Sequence, residues 1–487
     1  MTILDSLDGL KLELCKNAGM KLENIKLKTD YLNFDEEFFH KVKPTPLKKP
    51  FLISANNEVA KMLEIDKDEL YNSKFTDLVN GSYILDGSEP FAMCYAGHQF
   101  GYYVPRLGDG RAINLGELKG EHLQLKGSGL TRYSRQGDGR AVLRSSIREY
   151  LMSEAMHGLG VPTTRALAVI GSDENVARER WEKGAVVLRV SPSWIRFGTF
   201  EYFYYKRKHD KLEQLADYVI EQSFSELSQK TNRYIIMYEE IVKRTAHLMA
   251  HWQSVGFSHG VMNTDNMSIA GLTIDYGPYS FLDDYDFDFI CNHTDAEGRY
   301  SFGNQPNIGY WNLSMLLKAL SPLINIDKGK EVLERYPAYF TQHFHSLMCA
   351  KLGLDESKDR SKLIQWLFNI MQNDAVDYTL FFRTLSEYES KDEIGKLFIS
   401  DKRIIEWLKE YEKELPCKED MKRVNPKYVL KNYMLQEAIE KAETGDFSLV
   451  ESLLKIAQNP YEEHEEFSRY AKATPHKFKA LKLSCSS

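Results

Sequence analysis

The sequence predicts an α+β fold in which a smaller, strand-rich lobe precedes a larger helical lobe. From Phe51 to about Val190 the chain reads mainly as strands, interrupted by one strong helix. Beyond Tyr310 the apolar residues recur at helical spacing to the C-terminus. This order favours two lobes with an active cleft between them. We divide the chain into an N-terminal extension (1–30), a strand-rich N-lobe (31–190), a catalytic C-lobe (191–345) and a helical C-terminal region with a cysteine-containing tail (346–487).

The composition is that of a globular chain without a strongly basic surface. The 487 residues include 63 Lys and Arg against 70 Asp and Glu, a formal net charge of −7, which excludes a strongly basic nucleic-acid-binding protein. Apolar residues make up 43% of the chain, enough to bury a large core. No apolar run approaches the roughly 18 residues of a membrane span. We expect a monomer whose partners include neither nucleic acid nor a membrane.

The N-terminal residues and the cysteine spacing favour the cytoplasm. The opening segment carries acids at Asp5, Asp8 and Glu13 and has no uninterrupted apolar core, unlike a secretory signal. None of the six cysteines forms a CxxC pair, which argues against structural zinc and against a dense disulfide framework. Reduced cytosolic thiols are the simplest interpretation.

The first half of the chain predicts a β-hairpin whose second strand ends at a lysine. Residues 112–118 and 122–126 alternate between apolar and polar side chains on either side of Lys119-Gly120. Lys126 therefore lies at the end of a strand.

A helix and a buried strand follow the hairpin. The helix is indicated by apolar residues four positions apart, namely Leu143, Ile147, Leu151 and Ala155. Gly158, Gly160 and Pro162 end it. The apolar segment 185–190 then predicts a buried strand.

The second half predicts helices around one irregular segment. Residues 234–255 place Met237, Ile241 and Trp252 on one face, and Gly256 caps the helix. A loop with two short strands is expected over 259–278, followed by an acidic, aromatic loop. Further helices are predicted to the C-terminus, among them 428–441 and 447–456.

A glycine-containing turn opens the predicted hairpin. In Gly108-Asp109-Gly110-Arg111 the small residues let backbone N–H groups approach an anion such as a phosphate. Such turns are also common in loops that bind nothing. The turn therefore indicates a phosphate site only in combination with other motifs.

Lys126 and Glu149 form a second candidate feature. Lys126 ends a strand, and Glu149 lies 23 positions later on the helix. In protein kinases a strand lysine paired with a helix glutamate is held against the nucleotide phosphates. The alternative is a surface lysine and a solvated glutamate.

Asn266 and Asp275 offer two oxygen ligands of the kind that Mg²⁺ prefers. In kinases the catalytic Asp stands five residues before the metal-binding Asn, but Val261 occupies that position here and cannot accept a proton. The nearest carboxylate is Asp265, directly before Asn266. Neighbours on a strand point to opposite faces, so both can serve one site only if they lie in a loop.

Two arginines complete the candidate residues. Arg189 ends the strand 185–190, and Arg196 follows seven residues later. Guanidinium groups bind phosphate oxygens in a planar, bidentate manner. A buried strand arginine requires an anionic partner, which favours function at Arg189, whereas Arg196 alone is equally well explained as a surface residue.

Several long motifs resemble those of the selenoprotein O family. They are YAGHQFGYYVPRLGDGRAINLGE (95–117), LQLKGSGLTRYSRQGDGRAVLRSSIREYL (123–151) and HGVMNTDNMSIAGLTIDYGP (259–278), with further similarity over 298–313 and 425–439. The similarity covers nearly everything after about residue 31. It implies a bilobal, protein-kinase-like fold that acts as a protein adenylyltransferase, with ATP bound flipped relative to kinases.

The resemblance also implies which residues bind the nucleotide. These are Gly108, Gly110, Arg111, Lys126, Asp138, Gly139, Arg189, Arg196 and Asp275. Within this set, Lys126 would bind phosphate and pair with Glu149, and the two arginines would hold the terminal phosphates. Asp138 and Gly139 would line the nucleotide pocket.

The catalytic centre implied by the resemblance is compact in sequence. Asp265 matches the family's proton acceptor, and Asn266 and Asp275 match its metal ligands. The implied reaction moves AMP from ATP to Ser, Thr or Tyr hydroxyls of protein substrates and releases pyrophosphate. Mg²⁺ is the expected cofactor, with Mn²⁺ as the alternative ion, and ATP is the co-substrate.

Two other functions remain open at this point. One is a protein uridylyltransferase that uses UTP and Mn²⁺. The other is a non-catalytic, nucleotide-binding pseudokinase scaffold, which Val261 favours and which Asp265 beside an intact metal pair argues against.

Redox control is a further expectation from the resemblance, since some family members carry selenocysteine near the C-terminus. Cys485 lies in the tail KLSCSS, and Cys291 lies in the acidic loop after Asp275. A Cys291–Cys485 disulfide is one expectation. The alternative is that both thiols stay reduced, as cytosolic cysteines usually do.

Overall fold

A computed structural model describes residues 19–479, which form two compact units, each described here by itself. Of the described residues, unit 1 contains those up to Cys94 together with Gly108–Ser146 and Arg165–Ser191. Unit 2 contains Tyr95–Leu107, Ile147–Thr164 and the chain from Pro192 onward.

Strands are concentrated in the first 200 residues. Those in the described part of the chain are β1 (Phe39–Lys41), β2 (Pro50–Ala55), β3 (Phe91–Met93), β4 (Gly97–Gln99), β5 (Tyr102–Val104), β6 (Ala112–Leu118), β7 (Glu121–Lys126), β8 (Ala141–Val142), β9 (Arg165–Ala177), β10 (Trp181–Ser191), β11 (Phe257–Ser258) and β12 (Ser280–Phe281).

Unit 1 is built on one antiparallel sheet. Its strand order is β1-β3-β6-β7-β10-β9-β2, and β8 also pairs with β10. The central strands are buried, and β10 has eight consecutive buried residues from Gly184 to Ser191. A strand buried on both faces needs such an apolar run, and the predicted strand 185–190 is confirmed within it.

The α-helices of the described part are mostly in unit 2. They are α1 (Asn57–Met62), α2 (Ser73–Asn80), α3 (Leu143–Gly158), α4 (Phe197–Tyr205), α5 (His209–Ser223), α6 (Arg233–Val255), α7 (Gln305–Leu320), α8 (Ile326–Leu333), α9 (Tyr336–Leu352), α10 (Ser361–Asp374), α11 (Tyr378–Glu387), α12 (Lys391–Gly395), α13 (Asp401–Lys413), α14 (Lys418–Val424), α15 (Asn432–Glu443) and α16 (Ser448–Gln458).

Unit 2 is organised around the long helix α6, which packs against α7 and α9. Its predicted apolar face is buried, and Gly256 ends it with a φ of 70°. A left-handed residue at this position is the usual helix stop and favours glycine. Farther along the chain, α10, α11 and α13 share a hydrophobic core with Leu282, Tyr285 and Phe302.

The hairpin and the first long helix agree with the sequence. Strands β6 and β7 pair antiparallel, and Lys126 is the last residue of β7. The turn between them has positive φ angles at both Lys119 and Gly120, as two-residue hairpin turns of type I′ require. Helix α3 begins at Leu143 and ends at Gly158, as predicted.

The segment 259–278 differs from the prediction of two short strands. Ser268 forms only an isolated bridge with Arg196, and Thr273 forms one with Thr163. In each bridge the partner segment pairs through only one or two backbone groups, so the pairing does not extend into a strand. The residues 264–266 instead form one 3₁₀ turn, which satisfies the condition that Asp265 and Asn266 lie in a loop.

The end of the predicted N-terminal extension packs into unit 1. Leu22, Ile25 and Leu27 are buried in the core that also contains Val59 and Leu115. Residues 22–27 therefore contribute to the stability of this unit. The start of the extension, residues 1–18, lies outside the described residues.

None of the helices in the described range is both long enough and apolar enough to cross a membrane.

Lys351, near the end of α9, is a buried lysine inside the helical part of unit 2. It is 7% exposed, and its Nζ lies 4.5 Å from the centre of the Phe382 ring. Within residues 19–479 no carboxylate forms an ion pair with it. Burial lowers the pKa of Lys351 from 10.5 to about 7.

This pKa shift predicts a dependence of stability on pH. Between about pH 7 and 10 the unfolded state binds a proton at Lys351 that the folded state does not, so the free energy of unfolding should rise with pH by up to about 1.4 kcal/mol per unit. Lys351→Met should flatten this rise, measured as the urea midpoint between pH 7 and 9. The exposed Lys402→Met is the control, and equal slopes in both variants would contradict the prediction.

Candidate active site

The glycine-containing turn of unit 1 is organised by the buried Asp109. This carboxylate is 3% exposed, and its Oδ2 accepts hydrogen bonds from Met93 N at 3.0 Å and from Asn114 Nδ2 at 3.1 Å. Gln124 Nε2 donates to the same oxygen at 3.4 Å. A buried carboxylate with several donors is held in place, so Asp109 fixes the loop against the sheet.

Gln124 connects this loop to Arg189. Its Oε1 accepts a hydrogen bond from the Arg189 guanidinium, while its Nε2 bonds Asn114 Oδ1 at 3.2 Å. Arg189 lies opposite Gln124 in the register of β10 and β7 and is 2% exposed. The buried strand arginine therefore lies in a polar network that extends to Asp109.

Packing requires glycine at both positions of the turn, in addition to the predicted approach to an anion. Gly108 has a φ of 105°, and a Cβ there would lie 2.5 Å from the Tyr133 ring. A Cβ on Gly110 would lie 2.9 Å from the Tyr133 carbonyl oxygen. Close packing of the 131–134 segment over the turn thus requires both glycines, whether or not they contact a phosphate.

The other predicted nucleotide residues of unit 1 range from exposed to buried. Arg111 is exposed, and Lys126 is half-buried at the end of β7. Asp138 pairs with Arg178 at 2.7 Å; burial opposes ionisation of this carboxyl, but hydrogen bonds from Arg178 and from Arg140 N lower its pKa overall. Gly139 has a φ of 72° and lies against Gly129.

In unit 2, the loop 259–266 holds the predicted catalytic residues. Asn266 Nδ2 donates to the Val261 carbonyl oxygen at 3.0 Å, which leaves the amide oxygen Oδ1 as the atom available to a cation. His259 Nε2 lies 2.9 Å from Ile274 O, so this imidazole fastens the loop to the segment that leads to Asp275. Val261, at the position of the kinase base, contributes only backbone groups to these bonds.

Asp265 is a buried carboxylate with one unsatisfied oxygen. It is 7% exposed, and its Oδ2 accepts a hydrogen bond from Gln99 Nε2 at 3.1 Å. Its Oδ1 has no hydrogen-bond partner among the residues that the structure describes. Burial raises the pKa of Asp265 to about 7, against the lowering effect of Arg196 and Gln99. A carboxylate of this pKa can accept a proton near neutral pH.

Asp275 is held by Arg196 in a left-handed backbone conformation. Its φ is 57°, which is uncommon for a residue other than glycine and often marks a functional site. The Arg196 guanidinium forms an ion pair with Asp275 and donates to the Asp265 carbonyl oxygen at 2.6 Å. It also lies over the ring of Tyr95, 4.6 Å from its centre. Arg196 is 2% exposed and therefore not a surface residue.

Asn266 and Asp275 offer oxygen donors of the type that a hard divalent cation prefers. Asn266 Oδ1 and the Asp275 carboxylate are the ligands that would hold the cation. Asp265, the residue before Asn266, has an Oδ1 without a hydrogen-bond partner among the described residues. Among residues 19–479 no three His, Cys, Asp or Glu side chains could hold a metal ion together. Two protein ligands completed by water and phosphate oxygens are what Mg²⁺ uses in phosphoryl-transfer sites.

Glu149 and Cys291 also lie in unit 2. Glu149 is 4% exposed on α3, and its pairing with Lys126 stays a prediction because the two residues belong to different units. Cys291 is buried, its thiol lies 3.4 Å from Ser258 Oγ, and burial raises its pKa to about 12. Cys485 lies outside the described residues, so the expected disulfide stays a prediction.

Sequence reasoning missed three residues that build these sites, namely Asp109, Gln124 and Gln99. Their bonds join positions up to 166 residues apart. Only the placement of Asp109 and Gln99 within unusual motifs distinguished them from ordinary polar residues. No spacing rule would have selected Gln124, which alternates with apolar residues as any strand residue does.

Comparison with known proteins assigns the chain to a class of enzyme. A protein of Myxococcus xanthus named protein nucleotidyltransferase YdiU is 47% identical over 485 residues, which cover 96% of this chain and 99% of the relative. A protein of the same name from Thioalkalivibrio sulfidiphilus is 46% identical over 96% of this chain and 100% of its own length. The chain is thus an enzyme of the protein nucleotidyltransferase class.

The family can be stated more narrowly. The profile described as protein adenylyltransferase SelO matches residues 21–458. The chain belongs to this family, and the resemblance found in its motifs is confirmed. The match also includes residues 21–30, which the motifs had left outside.

The network around Asp109 predicts a loss of stability on substitution. Asp109→Ala would leave the donors of Met93, Asn114 and Gln124 without their acceptor, which should cost about 2–3 kcal/mol. The measurement is the shift of the thermal midpoint. The exposed Asp173→Ala in the same unit is the control, and an unchanged midpoint in Asp109→Ala would show that the network does not support the loop.

Proposed function

We propose that this enzyme transfers AMP from ATP to Ser, Thr or Tyr hydroxyls of proteins and releases pyrophosphate. The acceptor oxygen attacks the α-phosphorus, the bond from that phosphorus to the oxygen bridging to the β-phosphorus breaks, and pyrophosphate leaves. The hydroxyl proton passes to Asp265. The family description, protein adenylyltransferase, supports AMP as the group transferred.

The observation that carries this proposal is that Val261 occupies the position of the kinase base, whereas the nearby carboxylate belongs to Asp265. Val261, at the position of the kinase base, offers only backbone groups, and its carbonyl oxygen accepts a hydrogen bond from Asn266. The buried carboxylate next to the proposed metal ligand is Asp265, with an oxygen that lacks a described partner and a pKa near neutrality. A proton acceptor in this place fits attack by a hydroxyl, and its position differs from that of the base in kinases.

The remaining residues are assigned to the nucleotide. Gly108, Gly110, Arg111, Lys126, Asp138 and Gly139 are proposed to bind it, with Arg189 and Arg196 on the terminal phosphates of an ATP flipped relative to kinases. Arg196 is engaged with Asp275, so phosphate must share or replace that carboxylate. A site in which arginine charges meet pyrophosphate oxygens stabilises the leaving group.

Asn266 and Asp275 are proposed to hold Mg²⁺, or Mn²⁺ in its place. When bound, the ion supplies positive charge that offsets the charge developing on the phosphates. An antiparallel sheet in unit 1 and a helical unit 2 also support a protein-kinase-like fold as part of the proposal.

Separate labels on ATP test the reaction directly. The enzyme is incubated with Mg²⁺, casein as a hydroxyl-rich acceptor, and ATP labelled at either the α- or the γ-phosphate. We expect protein-bound label from the α-position only. Label from the γ-position alone would identify a kinase, and strong competition by UTP with Mn²⁺ would identify a uridylyltransferase. Nucleotide binding without label on any protein, the enzyme included, would identify a scaffold.

Substitution of Asp265 tests its role. Asp265→Asn should slow transfer by roughly 10²–10⁴-fold, the usual effect of losing a general base. Binding of Mg²⁺ with α,β-methylene-ATP, measured by calorimetry, should stay close to that of the unchanged enzyme. Asp275→Asn is the contrasting variant, because it should raise the Mg²⁺ concentration needed for binding. Full turnover in Asp265→Asn would refute the proton-acceptor role.

A further inference from the structure

We propose that Gln99 is a positioning residue for the Asp265 carboxylate. The inference rests on the proposed function, in which Asp265 accepts the proton. It concerns a side chain that lies 166 residues from Asp265 in the sequence and touches neither of the proposed metal ligands through any described bond. Three contacts, all within unit 2, bring strand β4 to the catalytic turn.

The first contact is a close backbone approach at Gly97. A Cβ on this residue would lie 2.7 Å from Asp265 Oδ1 and 2.9 Å from Asp265 Cβ. Only a residue without a side chain allows β4 to pass this close to the carboxylate. Gln99, two residues after Gly97 on the same strand, therefore comes within hydrogen-bond distance of Asp265.

The second contact fixes the register between β4 and the turn. His98 N donates to Thr264 Oγ1 at 2.6 Å, and the same hydroxyl donates to Glu201 Oε2 at 2.7 Å. His98 Nδ1 lies 2.9 Å from Glu201 Oε1, so the imidazole carries its proton on Nδ1. Thr264 and Glu201 are fully buried. Two of these bonds start from His98, the neighbour of Gln99, and the third joins Thr264, the neighbour of Asp265, to Glu201.

The third contact is the bond from Gln99 itself. Its Nε2 donates to Asp265 Oδ2 at 3.1 Å, whereas Oδ1 of the same carboxylate has no partner among the described residues. An amide donor on one oxygen restricts rotation of the carboxylate about its bond to Cβ. The other oxygen is then presented in one orientation, as a proton acceptor requires.

The backbone of Asp265 is held independently of Gln99. Its carbonyl oxygen accepts a hydrogen bond from Arg196, which also pairs with Asp275. Removing the Gln99 amide should therefore free the carboxylate without displacing the turn. This difference separates a positioning role from a structural one.

The test replaces Gln99 by methionine, which keeps the length of the side chain and removes the donor. With casein and α-labelled ATP, the kcat of Gln99→Met should fall about 10- to 100-fold, the scale of a misplaced catalytic group, while the KM for ATP stays the same. Binding of Mg²⁺ with α,β-methylene-ATP and the thermal midpoint should also be unchanged. Gln365→Met is the matched control, because Gln365 donates its amide to Asn369 on an exposed helix face.

If Gln99 acts by positioning Asp265, its substitution should have no effect on the rate once the Asp265 carboxylate is absent. In the Asp265→Asn background, Gln99→Met should cause no further loss of the residual rate, and an additional ten-fold loss would overturn the proposal. Gln99→Leu also removes the donor, with a shorter side chain, and should show the same loss of kcat. If both Gln99 variants lose ATP binding or thermal stability, Gln99 is structural and the proposal is wrong.

The same set of variants separates the two proposals. An inactive Asp265→Asn together with a fully active Gln99→Met would overturn the positioning role alone. A fully active Asp265→Asn would overturn the proton-acceptor role on which it rests.

Discussion

The Arg196 guanidinium is the interaction on which the catalytic part of unit 2 depends. It joins the Asp275 side chain to the Asp265 backbone and packs on Tyr95. The positions from Tyr95 to Asp275 span 180 residues of sequence and meet at one buried charge. A buried ion pair is costly to break, because removing one partner leaves the other uncompensated, so these segments have to move together or not at all.

Local patterns were sufficient to predict several individual elements of the fold. The hairpin of β6 and β7, the stripe of α3 and the glycine stop of α6 are each encoded within about 25 residues, which is the range over which periodicity and turn chemistry act. The segment 267–274 was not predictable in this way. Its backbone groups bond single residues such as Ile195 and Pro162, and no local pattern specifies a distant partner.

The residues of the candidate site also differ in whether the sequence could predict them. Asp265, Asn266 and Asp275 were selected as candidates from residue type and spacing, and the family resemblance implied their roles, which stay predictions. Gln99, which bonds Asp265, and Glu201, which bonds Thr264 and His98, were not selected, since hydrogen-bond donors and acceptors of ordinary type satisfy many roles. Gly108 and Gly110 show the converse: a motif suggested one reason for glycine, and the packing of Tyr133 supplies another.

The alternation of the chain between the two units has a consequence for its synthesis. The chain passes from one unit to the other five times, at Cys94, Leu107, Ser146, Thr164 and Ser191. Strand β10, which pairs with β7, β8 and β9, is the last strand of its sheet to leave the ribosome. At 5–20 residues per second, roughly ten seconds or more of translation precede it. Until then the nascent chain exposes unpaired apolar strand edges, a period in which chaperone binding would protect it.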